Sequence, residues 1–117
     1  MSASRVPRMR KVNEMLREVI AEEVQLLQDP RIGFVTITGV DCAPDLRAAK
    51  VYYSVLGDDE ERAATQEALQ RSAPHIQAAM GPQVRLKYLP KLRFVVDDSV
   101  ERGIRMEQLL REIGEDQ

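Results

Sequence analysis

The sequence contains no tryptophan, one cysteine and one histidine, and these shortages exclude several kinds of functional site. Cys42 has no second cysteine with which to form an intramolecular disulfide. Zinc clusters need several Cys or His ligands, more than Cys42 and His75 can supply. The sequence also offers no nucleophile–base pair and no glycine-rich phosphate loop. We therefore predict that the protein is not an enzyme and that it holds no metal and no cofactor.

A long apolar run is missing as well. Hydrophobic residues make up 44% of the chain and charged residues 31%, which is typical of a globular protein rather than a disordered one. No run approaches the roughly 20 apolar residues that a membrane-spanning helix needs. The basic residues at the N-terminus are not followed by the apolar core of a secretory signal. We expect a cytoplasmic protein without membrane association that acts as a monomer.

Acidic residues are missing from two basic segments. The net charge of −2, taken alone, argues against binding to nucleic acid. However, residues 1–11 and residues 82–96 contain no acid, whereas acids collect at residues 58–61 and from Asp97 onward. The cations of the two segments are Arg5, Arg8, Arg10, Lys11, Arg85, Lys87, Lys91 and Arg93. This segregation predicts a local positive surface on an acidic protein.

The central part of the chain, from Asp58 onward, has the pattern of an amphipathic helix. Asp58 and Glu61 have the spacing of a capping box, which indicates a helix start rather than a metal site. Because Pro74 lacks an N–H group and its ring clashes with the preceding turn, we predict that the helix breaks there into two arms. The residues of the predicted kink are Ser72, Ala73 and Pro74.

The flanking segments predict one further helix before this region and strands on both sides of it. Apolar spacing predicts a helix over residues 4–27, and alternation predicts a hairpin of strands over residues 34–40 and 46–56. A third strand is predicted over residues 84–96, with its cations on one face. Because Pro90 cannot donate to a ladder, this strand should lie at a sheet edge or be bulged at Pro90. A short amphipathic helix is predicted over residues 99–113.

The element order is therefore α-β-β-α-kink-α-β with a tail helix. We predict an α+β fold in which the helices pack on one face of a three-stranded sheet and leave the other face open. Residues 1–97 would form this domain, and residues 98–117 would form the tail.

Three segments carry a resemblance to a known family. They are Asp29–Arg31 leading into Phe34–Thr38, the run Leu89–Asp97, and Asp97–Ser99 followed by Gly103–Met106 and Leu109-Leu110. With these segments the chain, from about Arg5 to Leu110, resembles ribosome-binding factor A, a family of bacterial small-subunit assembly factors.

The resemblance implies a type II KH-like fold and a protein without enzymatic activity. It also implies binding to free, immature 30S ribosomal subunits and a role in late maturation of 16S rRNA, near its 5′-end helix and the decoding region. Ser72-Ala73-Pro74 stands where the family typically has Ala-x-Gly, and a proline can enforce a bend that glycine only permits. The Gly-x-x-Gly clamp of ordinary KH domains is absent.

Pattern and resemblance together give a set of RNA-binding candidates. These are Arg5, Arg8, Arg10, Lys11, Arg31, Lys50, Ser72, His75, Arg85, Lys87, Lys91, Arg93 and Arg105. On pattern alone the cations of the third strand could equally protect a sheet edge, and His75 could be an ordinary polar helix residue. Tyr52 could stack on a base or pack across strands. A regulatory KH-like module that binds single-stranded RNA is the alternative function.

Overall fold

The computed structural model describes the backbone of residues 2–98 and the side chains from Arg8 to Asp98. The elements are α1 (Ser2–Gln25), β1 (Val35–Cys42), β2 (Ala48–Val55), α2 (Asp59–Met80), a short 3-10 helix (Gly81–Gln83) and β3 (Lys91–Val96). The predicted tail helix and Arg105 lie outside the described residues, and so does the side chain of Arg5. The proposed boundary between domain and tail cannot be placed, because the tail lies almost entirely outside them.

The sheet has the order β1-β2-β3, with β2 in the centre. The pair β1–β2 is antiparallel, as the predicted hairpin requires, and β2–β3 is parallel. A parallel pair needs a long crossover, and α2 supplies it. A bulge between Ile37 and Gly39 shifts the register of β1. It lets Ile37, Val40 and Cys42 all face the core, although a regular alternation would turn Val40 and Cys42 outward.

The core lies between the helices and one face of this sheet, so the predicted α+β architecture is confirmed. The inward side chains of β2 are Ala49, Val51 and Tyr53, which are at most 3% exposed. Helix α1 contributes Leu16, Ile20 and Val24. The remaining buried side chains of the core come from α2, β3 and the segment between them: Leu69, Ala73, Ile76, Met80, Val84, Leu92 and Phe94.

The predicted break of the central helix into two arms is wrong. Helix α2 runs without interruption from Asp59 to Met80 and contains Pro74. The capping box of Asp58 and Glu61 starts the helix as predicted. Residues on both sides of the proline are buried in the core. The exposed Pro74 ring lies on the solvent side, where it displaces no core side chain. A bend at Ser72, Ala73 and Pro74 within the continuous helix stays a prediction.

The third strand is shorter than predicted. It begins at Lys91 rather than near Val84, and residues 84–90 form no ladder. The apolar positions at the two ends of this segment reflect burial rather than strand pairing, because Val84 and Pro90 are buried and the chain bends at Lys87 and Tyr88 between them. Arg85 and Lys87 therefore lie in a loop, whereas the position of the strand at the edge of the sheet is confirmed.

Glutamine side chains of α2 cover the outer edge of β3. Gln66 donates from Nε2 to the Phe94 carbonyl at 2.8 Å. Gln70 donates to the Leu92 carbonyl at 3.1 Å and accepts from the Phe94 N–H at 2.9 Å. Gln77 donates to the carbonyls of Leu89 and Pro90, just before the strand. Three outward backbone groups of β3 and two carbonyls just before it thus have partners within the same chain.

Replacing Gln70 with alanine should destabilise the domain by about 1–2 kcal/mol, because two hydrogen bonds to β3 are lost and water replaces them incompletely. The matched control is Glu67→Ala, which removes an exposed ion pair with Arg71 on the same helix and should cost less than about 0.5 kcal/mol. Urea unfolding of both variants measures the difference. Equal stabilities for the two variants would show that the glutamine contacts do not hold the strand.

Candidate nucleic-acid interface

The arginines and lysines of the described chain fall into two groups. Ion pairs join Arg17 to Glu14 at 3.1 Å, Arg31 to Asp29 at 2.7 Å and Arg71 to Glu67 at 2.9 Å. For the other cations between residues 8 and 98, no carboxylate lies within ion-pair distance. These are Arg8, Arg10, Lys11, Arg47, Lys50, Arg62, Arg85, Lys87, Lys91 and Arg93. Their charges are available to an anionic ligand.

The turn between β1 and β2 consists of residues 43–47, and the end of the domain at which it lies is here called the turn end. Many of the free cations lie at this end. Helix α1 reaches this end because Asn13 accepts a hydrogen bond from the Cys42 N–H at 2.9 Å. Arg8 borders a shallow depression together with Pro44 and Asp45 of the turn. The segment before β3 arrives there too, because the N–H of Lys91 donates to the carbonyl of Arg47 at 3.0 Å.

The open face of the sheet adds a second group of charges beside the turn end. Register pairs Asp41 with Lys50 across β1 and β2, and Lys50 with Arg93 across β2 and β3. The three residues line a depression of about 360 Å³ on this face. Like charges directly opposite each other destabilise a sheet pair. Asp41 supplies one negative charge beside two positive ones, so an anion bound near Lys50 and Arg93 would neutralise the remaining positive charge.

The predicted RNA-binding residues divide accordingly. The structure brings Lys50, Lys91 and Arg93 onto neighbouring strands with exposed side chains, and Arg85 and Lys87 are exposed in the preceding loop. Those on α1 are also exposed: Arg8, Arg10 and Lys11. No recorded contact joins Arg31, the half-buried Ser72 or the exposed His75 to the turn end. The role of each residue in binding RNA stays a prediction.

Arg31 has a structural partner that the sequence pattern did not reveal. Its backbone N–H and its Nε both donate to Asp29 Oδ1 at 3.0 Å, and its Nη2 donates to Oδ2 at 2.7 Å. The side-chain hydrogen bond from Arg31, followed by the backbone one, lowers the pKa of Asp29 to about 2. The hydroxyl of Thr65 donates to the Arg31 carbonyl and accepts from the Gly33 N–H, which fastens this loop to α2.

Two residues at the turn end were absent from the sequence prediction. The guanidinium carbon of Arg47 lies 4.4 Å from the centroid of the Tyr88 ring, and Lys87 Nζ lies 5.5 Å from it. Tyr88 falls within the strand predicted over residues 84–96, but it lies in the loop before β3, and its side chain is 38% exposed. The available signal was an aromatic residue inside the acid-free segment 82–96.

Cys42 and Tyr53 do not belong to this surface. Cys42 is 3% exposed, and its thiol contacts the Ala43 carbonyl. Burial raises the pKa of the Cys42 thiol and also that of the Tyr53 hydroxyl, which hydrogen-bonds with Gln66. Tyr52 is half-buried on the open face, paired with Gly39 and Val95, and both interpretations of it remain open.

Metal sites and membrane spans are both lacking from the residues that the structure describes. Within this part of the chain, no three His, Cys, Asp or Glu side chains are grouped so that they could hold a metal ion. In the same part, neither helix has an apolar stretch that is long enough to cross a membrane.

Comparison with known proteins gives consistent results. The sequence model of the family described as ribosome-binding factor A matches residues 8–110. Ribosome-binding factor A of Geobacter sulfurreducens is 45% identical over 107 residues, which are 91% of each chain. That of Rubrobacter xylanophilus is 50% identical over 113 residues, which are 93% of this chain and 90% of the other.

Solved structures show the same likeness. The crystal structure of ribosome-binding factor A from Thermus thermophilus has a TM-score of 0.68 and 30% identity, and the match covers 75% of this chain and 94% of that one. A homology model of the Thermus thermophilus protein, fitted into the cryo-EM map of a 30S–RbfA complex, has a TM-score of 0.59 and 31% identity. That match covers 72% of this chain and 89% of the other, and these likenesses agree with a KH-like fold.

The ion pair of Asp29 should make stability depend on pH. Because its pKa in the folded protein (about 2) is below its ordinary value of 3.8, the unfolded chain binds the proton first as the pH falls. The stabilisation is therefore present at neutral pH and lost between about pH 4 and pH 2. We expect Asp29→Asn to be less stable than the wild type near pH 6, and the difference to disappear across this window.

Urea unfolding at a series of pH values checks this expectation. Arg31→Gln is the matched control, since it leaves the carboxylate but removes its main hydrogen-bond donor, and it should lose the same pH-dependent component. A stability difference between wild type and Asp29→Asn that stays constant from neutral pH to about pH 2 would contradict the assignment.

Proposed function

The chain belongs to the ribosome-binding factor A family, and on this premise we propose that it binds immature 30S ribosomal subunits in the cytoplasm and promotes late maturation of 16S rRNA. The relative that was fitted into the map of a 30S–RbfA complex supports the choice of partner. The observation that carries the proposal is the group of unpaired cations at the turn end and on the adjoining open sheet face.

The proposed contacts are to phosphate groups of the rRNA. Lysine and arginine side chains that have no carboxylate partner bind phosphates without first breaking an ion pair. The side chains assigned to this surface are Arg8, Arg10, Lys11, Lys50, Arg85, Lys87, Lys91 and Arg93. A phosphate between Lys50 and Arg93 would also remove the repulsion of two like charges on paired strands.

The mechanism we propose has no chemical step. A binding protein shifts a conformational equilibrium by its difference in affinity for the two states. The factor would hold one conformation of the rRNA near its 5′-end helix, favour processing of that end, and dissociate when a later conformation no longer fits. The domain of residues 1–97 would bind as a monomer, in agreement with the covered edge of β3, and residues 98–117 would form a separate tail.

Binding should weaken with salt, and a pair of neutralised cations should change that dependence. Replacing Lys50 and Arg93 together with glutamine should lower the affinity for purified immature 30S subunits roughly tenfold or more, because phosphate contacts are lost. The slope of log K against log salt should fall by about one unit for each lost contact. Co-sedimentation at several salt concentrations measures both quantities.

The matched control replaces Arg17 and Arg71 with glutamine, which changes the net charge by the same amount but removes two ion-paired cations. Its affinity and its slope should stay close to those of the wild type. If both double variants weaken binding equally, net charge rather than the open sheet face governs the interaction.

The maturation role has its own test in cells that depend on this factor. In cells that carry the Lys50 and Arg93 double variant at normal protein levels, unprocessed 5′ ends of 16S rRNA should accumulate, because the rRNA conformation is no longer held. Mapping of the rRNA 5′ ends measures this, with the Arg17 and Arg71 variant as control. Normal processing in cells whose factor no longer binds subunits would separate binding from maturation.

A further inference from the structure

The cluster of Arg47, Lys87 and Tyr88 at the turn end has features that phosphate binding alone does not explain. The Arg47 guanidinium carbon lies 4.4 Å from the centroid of the Tyr88 ring, and Lys87 Nζ lies 5.5 Å from it. Within residues 8–98, neither cation has a carboxylate partner at ion-pair distance. An aromatic ring therefore holds two cations whose charge is not neutralised.

The backbone on both sides of this cluster is fixed. The N–H of Arg47 donates to Asp45 Oδ1 at 3.1 Å, and its carbonyl accepts from the Lys91 N–H at 3.0 Å. The segment that carries Tyr88 is held by the buried Pro90 and by a hydrogen bond of 2.9 Å from Gln77 to the Leu89 carbonyl. The side chains of Arg47 and Tyr88 are nevertheless exposed, so the site is preorganised and open to solvent.

We propose that Arg47 and Tyr88 form a binding site for one unpaired nucleotide of single-stranded RNA, with Lys87 beside its phosphate. Guanidinium planes and aromatic rings are the surfaces on which unpaired bases stack in RNA-binding proteins. The ammonium group of Lys87 supplies the neighbouring positive charge that a sugar–phosphate backbone requires. The inference rests on the proposed rRNA partner and specifies that an unpaired nucleotide contacts the turn end.

This site would replace the clamp that the chain lacks. Ordinary KH domains hold single-stranded RNA with a Gly-x-x-Gly loop, and this sequence has none. The cluster lies instead where the turn between β1 and β2 meets the segment before β3. Arg47 directly precedes Ala48, which lines the depression together with Lys50 and Arg93, and the proposed RNA strand would place phosphates on the sheet face and a base on the ring.

The absence of tryptophan from the sequence allows a direct test. In Tyr88→Trp the new side chain is the sole tryptophan, and its fluorescence reports stacking at this position. We expect quenching by a single-stranded oligoribonucleotide and none by an RNA duplex of equal length. The control is Phe34→Trp, an exposed side chain at the opposite end of β1 from the turn, which should be quenched much less. Equal quenching of Tyr88→Trp by polyphosphate or polyglutamate would overturn the proposal, because those polymers carry charge without bases.

Affinity for the same oligoribonucleotide gives the second readout. Tyr88→Leu should weaken binding roughly 5- to 100-fold, the range for loss of one base–aromatic stack, and Tyr88→Phe should restore it to about the wild-type level. Arg47→Gln should weaken binding as well. If Tyr88→Leu lowers the melting temperature while the affinity is unchanged, the ring only ties the loop to the turn and the proposal fails.

Binding to immature 30S subunits is measured in parallel, so that the two proposals can fail separately. Loss of oligoribonucleotide affinity in Tyr88→Leu, with weaker but salt-dependent subunit binding, supports both. If the wild type binds subunits through Lys50 and Arg93 but Tyr88→Leu still binds the oligoribonucleotide normally, the proposed nucleotide site alone is overturned. If the wild type binds the oligoribonucleotide through Tyr88 but does not bind subunits, the proposed function is overturned instead.

Discussion

The parallel pairing of β2 with β3 is the constraint on which the surface of this protein depends. It places Lys50 directly beside Arg93 and brings the N–H of Lys91 to the carbonyl of Arg47. A parallel pair cannot be closed by a tight turn, so the chain between the two strands must cross the sheet as α2. The helix covers one face with apolar side chains, and the opposite face is left to the charges.

The arrangement of ion pairs explains how an acidic protein can present a basic surface. Acidic side chains are not spread evenly: Asp29, Glu14 and Glu67 neutralise arginines away from the turn end. Near the turn, Arg47 has an aromatic ring as its neighbour, and Lys50 lies between Arg93 and a single acid, Asp41, on the paired strands. Net charge therefore says little about this chain, because the potential near a ligand depends on which charges are already paired.

Local chemistry made several elements predictable from the sequence. The capping box at Asp58 and the hairpin of β1 and β2 depend on neighbouring residues and their spacing, and the structure has both. The family resemblance, which rests on motifs spread from Asp29 to Leu110, led to the correct family. These features need no knowledge of distant contacts.

The features that the sequence did not reveal depend on residues far apart in the chain. Apolar residues continue into residues 84–90 because Val84 and Pro90 are buried, but a strand also needs a ladder partner, and β2 offers one only from Ala48 onward. Pro74 indicated a break, yet burial of Leu69, Ala73 and Ile76 kept the helix intact. The contact between Arg47 and Tyr88 joins residues about forty positions apart, for which no local pattern exists.

The glutamine contacts between α2 and β3 have a consequence for the motions of the native protein. An edge strand usually frays independently, since it is bonded on one side only. Here the Phe94 N–H and the carbonyls of Leu92 and Phe94 are tied to Gln66 and Gln70, so β3 cannot separate from the domain unless the helix releases it. Strand and helix should open as one cooperative unit. The surface that carries Lys91 and Arg93 thereby gains the rigidity of the central helix, although it lies at the margin of the sheet.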